Sequence, residues 1–262
     1  MELIEASENE VLLPNIKKFK VGLDLGTAYI VLVVLDEENN PVACEKQAAR
    51  VLRDGVVVDF VGARQIVSAL KAKLEKRLGT ELTYCAIAMP AGTESSIKTH
   101  IHVAESAGLD VVNILDEPTA ANSIYKIENG AVVDIGGGTT GLAVFQNGVV
   151  IDTKDEATGG THVTLVLAGS LGISEDEAEK IKLDSTRHKE IFPIIKPVME
   201  KMASIVASYI TQSDVKTIYL CGGTCCMYGI EKVFENWTGI KTVKPDNPFL
   251  VTPAGIAVNC LV

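Results

Sequence analysis

The sequence predicts an α/β protein built by duplication, with two lobes of like construction. Three observations carry that reading. Two β-rich openings, at residues 20–48 and 131–153, each end an apolar run on an aspartate and place a glycine two residues later. Each opening leads into helical and short apolar strand segments, the pattern of three antiparallel strands followed by crossover helices and parallel strands. At 262 residues and 47% hydrophobic content, the chain can bury one large core or two joined ones.

The elements follow in order. Residues 1–19 read as a leader, with Pro14 interrupting the apolar patch Val11 to Leu13. Val21 to Leu25 and Tyr29 to Leu35 are strands separated by Gly26-Thr27, and Glu38-Asn39-Asn40-Pro41 is a turn before a third strand. Ala63 to Leu78 has helical spacing, with Val67, Leu70, Leu74 and Leu78 on one stripe. Cys85 to Met89 is a short strand stopped by Pro90, and Thr93 to Ala107 is a helix ended by Gly108. Val111 to Leu115 is a strand, and Glu117 to Lys126 is a helix with Pro118 in its first turn. The opening then repeats, with strands Ala131 to Ile135, Leu142 to Phe145 and Val149 to Thr153 joined by Gly136-Gly137-Gly138 and Asn147-Gly148. Ser174 to Glu177 is a capping box starting a helix to Leu183, and Ile194 to Ile210 is a long amphipathic helix. Thr217 to Leu220 is a strand running into Gly222-Gly223, and a closing helix starts near Pro253. The organisation is a leader at 1–19, a first lobe at 20–129 and a second at 130–262.

Composition excludes several functions. The formal charge of −10, from 34 acids and 24 bases, opposes binding to nucleic acid or anionic membranes. No basic patch offsets it, and no run approaches 18 apolar residues. The acidic N-terminus is unlike a signal peptide, so the expected location is cytoplasmic. Of the six cysteines, Cys221, Cys225 and Cys226 cluster, yet none forms the paired spacing of a structural zinc site. They read as apolar fillers. His100 and His102, two apart on a helix, point to different faces and do not read as a metal pair.

The chemistry lies in the two glycine turns, Asp24-Leu25-Gly26-Thr27 and Asp134-Ile135-Gly136-Gly137-Gly138-Thr139. Glycine lets backbone N–H groups approach phosphate oxygens, and threonine hydroxyls add donors. An aspartate beside a polyphosphate calls for a divalent cation between them, and Mg²⁺ takes one or two carboxylates with phosphates and waters. Gly136, Gly138 and Gly141 also spell a dinucleotide fingerprint, but a β-hairpin follows instead of the helix that fingerprint requires. No P-loop sequence occurs.

With Asp116-Glu117-Pro118-Thr119-Ala120-Ala121, Leu220-Cys221-Gly222-Gly223-Thr224 and Pro253-Ala254-Gly255-Ile256-Ala257, these turns complete five ordered motifs. The set resembles the phosphate-1, connect-1, phosphate-2, adenosine and connect-2 motifs of the actin/Hsp70/sugar-kinase ATPase superfamily. The resemblance covers residues 20–262 and is similar in compactness to the ethanolamine-utilisation branch. It implies an actin-like ATPase (ribonuclease H-like) fold with reduced mobile subdomains, binding ATP or ADP with Mg²⁺. Asp24 and Asp134 would hold the metal through water, and Gly26, Thr27, Ala28 and Gly136 to Thr139 would cradle the phosphates. Glu117 would orient or deprotonate the attacking water, giving Glu117, Asp24 and Asp134 as the catalytic set. Gly222, Gly223 and Thr224 would pass beside the adenosine, and Glu179 with Lys182 match a pair that grips ribose and adenine in Hsp70.

Two departures stand out. No lysine can be assigned to the γ-phosphate from the region Glu45 to Asp59, where the sequence is MreB-like and Lys46 lies outside every motif. The interval between Thr153 and Lys216 is short for a second mobile subdomain. The implied function is a slowly hydrolysing, Hsp70-like chaperone of ethanolamine utilisation, with a client such as ethanolamine ammonia-lyase or the shell proteins of a bacterial microcompartment. The alternatives are a non-hydrolysing actin-like assembly scaffold and, further off, a dehydratase activator. The activator would need cluster-binding cysteines, and none occurs from Ala86 to Leu220. A small-molecule kinase would need inserted lobes that this chain lacks.

Overall fold

A computed structural model describes Ser7 and residues 18–89, 96–210 and 214–261. The chain forms two compact units, one ending at Lys126 and resuming at Phe249, the other spanning Ile127–Pro248.

In the first unit, Lys20–Leu25 (β1) and Tyr29–Leu35 (β2) pair antiparallel, with Leu25 opposite Ile30 across the Gly26-Thr27 turn. Pro41–Ala48 (β3) extends this sheet on one side, and the parallel strands Tyr84–Met89 (β6) and Asp110–Asp116 (β7) extend it on the other. The strand order is β3-β2-β1-β6-β7. Leu52–Arg53 (β4) and Val56–Val57 (β5) form a small hairpin, turned by Asp54 and Gly55 at positive φ. Helices Phe60–Leu78 (α1) and Ile97–Ser106 (α2) cover one sheet face, where Leu23, Ile30 and Leu32 meet Val67, Leu70 and Val103. Glu117–Tyr125 (α3) follows β7 directly.

The second unit repeats this plan. Gly130–Ile135 (β8), Thr140–Gln146 (β9) and Val149–Glu156 (β10) form the antiparallel part, with Ile135 opposite Thr140. Thr217–Cys221 (β11) and Lys241–Val243 (β12) add in parallel, giving the order β10-β9-β8-β11-β12. Between them lie Gly160–Leu171 (α4), Glu175–Leu183 (α5) and His188–Ile210 (α6), and Ile230–Thr238 (α7) joins β11 to β12. Val133, Ile135 and Leu142 pack against Val163, Leu167 and Ile195. The chain then returns to the first unit as Val251–Val258 (α8), whose Ala254 and Ala257 cover Val31 and Val33 on the second face of β2. A strand buried on both faces reads as an unbroken apolar run, which is why β2 is so plain in the sequence.

The structure differs from expectation in several places. The segment from Phe249 packs with the first unit, whereas the sequence reading placed it in the second lobe; its small residues fit beneath β1 and β2. α4 and α7 were not foreseen. α4 opens on glycine and is apolar on more than one face, so it carries neither a strong helix former at its start nor a clean stripe. α6 begins at His188 and runs through Pro193 and Pro197. Both prolines lie on the exposed side, where water meets the freed carbonyls, while His188, Ile191 and Ile195 bury the opposite stripe. The leader at 1–19, apart from Ser7, Lys18 and Phe19, and the start of the helix expected from Thr93 lie outside the described residues.

Candidate functional site

Asp24 and Asp134 are each the penultimate residue of the first strand of their sheets, and each precedes a glycine turn. Asp24 pairs with Val31 and is half-buried. Gly26 is required by close approach, because a Cβ there would stand 2.7 Å from the Tyr29 carbonyl oxygen. Ala28 anchors the end of the turn by accepting from the Ala49 N–H at 2.9 Å. Asp116 caps α3, its carboxylate accepting from the Thr119 N–H at 2.9 Å. Asp116 is thus the N-cap, and the half-buried Glu117 is the first residue of the helix.

In the second unit Asp134 is 4% exposed, between Gly141 on β9 and Cys221 on β11. Gly222 (φ 91°) passes so near that a Cβ would meet the Asp134 carboxylate at 2.3 Å. The Gly222 N–H is held by the Pro248 carbonyl at 3.0 Å. Lys244 fastens the following turn through the carbonyls of Cys225 and Met227. Burial, then the neighbouring Asp134 charge, pushes the Cys225 thiol well above its ordinary pKa, as expected of an inert filler. Cys226 is exposed and the other five cysteines are buried.

The turn Gly136 to Thr139 is held from behind. The first two amides of α4 are spent on it: Gly160 N–H donates to the Gly136 carbonyl at 2.9 Å, and Thr161 N–H to the Gly137 carbonyl at 2.8 Å. Thr224 Oγ1 also donates to the Gly136 carbonyl, at 2.7 Å. In a trans peptide the C=O and the next N–H point in opposite directions. Turning these two carbonyls toward α4 therefore aims the N–H groups of Gly137 and Gly138 away from it, side by side. Consecutive amides in that arrangement bind anions. Thr139, 6% exposed, closes the turn through its carbonyl, which accepts from Gly136 N–H at 3.0 Å.

Glu179 and Lys182 pair at 2.7 Å on α5. They are joined to the same turn through Gly160, whose carbonyl accepts from Lys182 Nζ at 3.1 Å. The structure thus brings Asp134, Gly136 to Thr139, Glu179, Lys182 and Gly222 to Thr224 together within the second unit. Sequence reasoning missed Gly159, Gly160, Thr161 and Thr164. A signal was present: Gly-Gly-Thr occurs at 137–139, 159–161 and 222–224, and two of these had been recognised. The middle triplet is there for contact, since a Cβ on Gly159 would lie 2.8 Å from the Gly136 and Gly137 carbonyls, and one on Gly160 2.6 Å from Thr224 Oγ1.

The remaining candidates are settled locally. His100 is buried and His102 exposed, so they share no site. Lys46 lies over the Phe249 ring at 5.1 Å. The strand β9 follows Gly138, excluding the dinucleotide fingerprint. No helix among the described residues is long and apolar enough to cross a membrane.

Two five-stranded sheets of matching order, each opening on an aspartate and a glycine turn, define a protein of the actin-like ATPase fold. MreB5 of Spiroplasma citri bound to ADP shares this fold at a TM-score of 0.71, with 17% identity over 90% of this chain and 94% of that one. The chain is 43% identical to ethanolamine utilization protein EutJ of Salmonella typhimurium over 90% of its own length and 84% of the relative's. The crystal structure of EutJ from Carboxydothermus hydrogenoformans superposes at a TM-score of 0.93, with 47% identity, covering 98% and 96% of the two chains. Residues 97–254 match the family profile described as type IV pilus assembly protein PilM. The chain belongs to the EutJ family of ethanolamine utilization proteins, and over residues 97–254 to the PilM family.

Proposed function

We propose that this protein binds ATP and ADP with Mg²⁺, hydrolyses ATP slowly, and uses the cycle for chaperone-like action in ethanolamine utilisation. The observation that carries the reading is the clamp of α4 on the Gly136 and Gly137 carbonyls, which points the Gly137 and Gly138 amides away from that helix. Gly26, Thr27 and Ala28 would serve the phosphates from the first unit's turn. Gly222, Gly223 and Thr224 would line the nucleoside, and Glu179 would face the sugar. Asp24 and Asp134 suit a hard cation held through water, and Gly222, lacking a Cβ, can pass close beside the Asp134 carboxylate. Mg²⁺ there would neutralise phosphate charge. Glu117, its helix already capped by Asp116, would position the attacking water. ADP bound to MreB5, of the same fold, supports the ligand class. The absence of an assignable γ-phosphate lysine supports slow turnover. The client would be an ethanolamine-degrading enzyme or the compartment shell, with the protein in the cytoplasm or on a microcompartment.

The test is calorimetric titration with ATP and ADP, with and without Mg²⁺, followed by a phosphate-release assay. Mg²⁺-dependent binding with slow release is expected. No binding of either nucleotide would overturn the reading. The PilM family match favours a second one, an assembly scaffold. Tight nucleotide binding with no phosphate release would select it.

A further inference from the structure

Thr164 belongs to none of the five motifs, yet the Glu179–Lys182 pair is assembled on it. It lies on α4, 5% exposed, with its Oγ1 2.5 Å from Glu179 Oε2 and 2.9 Å from Lys182 Nζ. An ammonium has three hydrogens to donate and nothing to accept with. Lys182 directs all three within the protein: to Glu179 Oε2 at 2.7 Å, Thr164 Oγ1 at 2.9 Å and the Gly160 carbonyl at 3.1 Å. The Thr164 hydroxyl therefore accepts from Lys182, and of the two acceptors its own proton can reach, Glu179 Oε2 at 2.5 Å is nearer than the Gly160 carbonyl at 3.1 Å. The other carboxylate oxygen, Oε1, lies outside these bonds, and the Glu179 side chain is 29% exposed against 12% for Lys182.

We propose that Thr164 and Lys182 are positioning residues. They fix Glu179 so that its Oε1 accepts hydrogen bonds from the ribose hydroxyls of the nucleotide, and Lys182 itself does not touch the sugar. This rests on the nucleotide-binding reading above. Gly160 adds a mechanical reason, because its N–H holds the Gly136 turn and its carbonyl holds Lys182. One peptide segment thus sets the phosphate side and the sugar side in register. A carboxylate only accepts, so it selects ligands with hydroxyl donors and gains nothing from a sugar that lacks them.

The experiment measures ADP and 2′,3′-dideoxy-ADP affinity by calorimetry for wild type, Thr164→Val, Thr164→Ser, Lys182→Met and the Thr164→Val/Lys182→Met pair. Wild type should prefer ADP. Thr164→Val, nearly the same shape without the hydroxyl, should lose about tenfold of that preference, and dideoxy-ADP affinity should hardly change. Thr164→Ser should restore the preference. Lys182→Met should match Thr164→Val, and the double variant should add little, as for residues acting as one unit. A lowered melting temperature with an intact preference in Thr164→Val would reduce Thr164 to packing and overturn the inference. Loss of preference in Lys182→Met alone would do the same, by making Lys182 the sugar contact. Failure of the wild type to bind ADP would overturn the nucleotide reading itself, whereas equal binding of both nucleotides would overturn only this inference.

Discussion

Gly255 lies so close to Ala120 that a Cβ on the glycine would stand 1.9 Å from the alanine's carbonyl oxygen. α8 and α3 therefore meet backbone to backbone. On another side of α8, a Cβ on Gly22 of β1 would stand 2.5 Å from the Ala257 nitrogen. Small residues in the last motif are needed to admit this helix, whatever they do for a ligand. Gly255→Ala should force the helices apart and cost about 3 kcal/mol, the upper part of the range for overpacked cores. Gly169→Ala, in an exposed helix interior with nothing within 4 Å of the new Cβ, should instead stabilise by about 0.5–1 kcal/mol. Urea denaturation of the two variants checks both signs.

Asp24→Asn and Asp134→Asn should each lower Mg²⁺-dependent nucleotide affinity by about 10–100-fold, as expected for groups that hold a metal through water. Affinity measured in EDTA should change far less. Near-equal losses with and without Mg²⁺ would show that the carboxylates act on the turns and not on a metal.

Glu117→Gln should separate binding from turnover. It keeps the side chain's shape and removes the charge that would accept a proton, so single-turnover hydrolysis should fall by about 10²–10⁴, or about 3–5 kcal/mol of barrier. ADP affinity should stay near wild type. Asp116→Ala, which removes the cap, should instead cost about 1 kcal/mol of stability. A Glu117→Gln protein that hydrolyses ATP at the wild-type rate would leave Glu117 with only its favourable place at a helix N-terminus.

His100 should make stability fall in mild acid. Its Nδ1 lies 3.0 Å from the Ser96 carbonyl, which can only accept, so Nδ1 carries the proton and Nε2 is bare. Nε2 is buried with no partner among the described residues. Burial lowers the pKa of His100, with the Ser96 carbonyl opposing it weakly. An unfolded histidine takes up its proton near pH 6.5. In the window below that value the unfolded chain binds more protons than the folded one, so stability drops as pH falls and is unaffected above it. His100→Asn keeps a donor for Ser96 and should flatten the urea midpoint between pH 7 and pH 5. Superimposable pH profiles for the two proteins would exclude His100 as the cause.

Legibility varied with how local each determinant is. β1, β2, β8 and β9 stood out because each is an apolar run bounded by a glycine turn, and the helix starting at Ser174 because its capping box closes within four residues. α4 was hidden by its opening glycines, whose purpose appears only when Gly159 and Gly160 lie against the Gly136 carbonyl. Thr164 was invisible for the same reason, since its partners Glu179 and Lys182 are 15 and 18 residues away and reach it only through the packing of α5 on α4.

The sequence by itself determined the duplication, the strand runs, the two aspartate–glycine turns and the order of the motifs, because each depends on residues adjacent along the chain. Tertiary structure decided that α8 closes the first unit, and that the Gly136 and Gly137 carbonyls turn toward α4, which points the Gly137 and Gly138 amides away from it. The direction of a peptide in a glycine turn is not encoded in the turn, where both senses are open to glycine. It is chosen by the donors behind it, here the first amides of α4 and the hydroxyl of Thr224, which only the folded chain brings to one carbonyl.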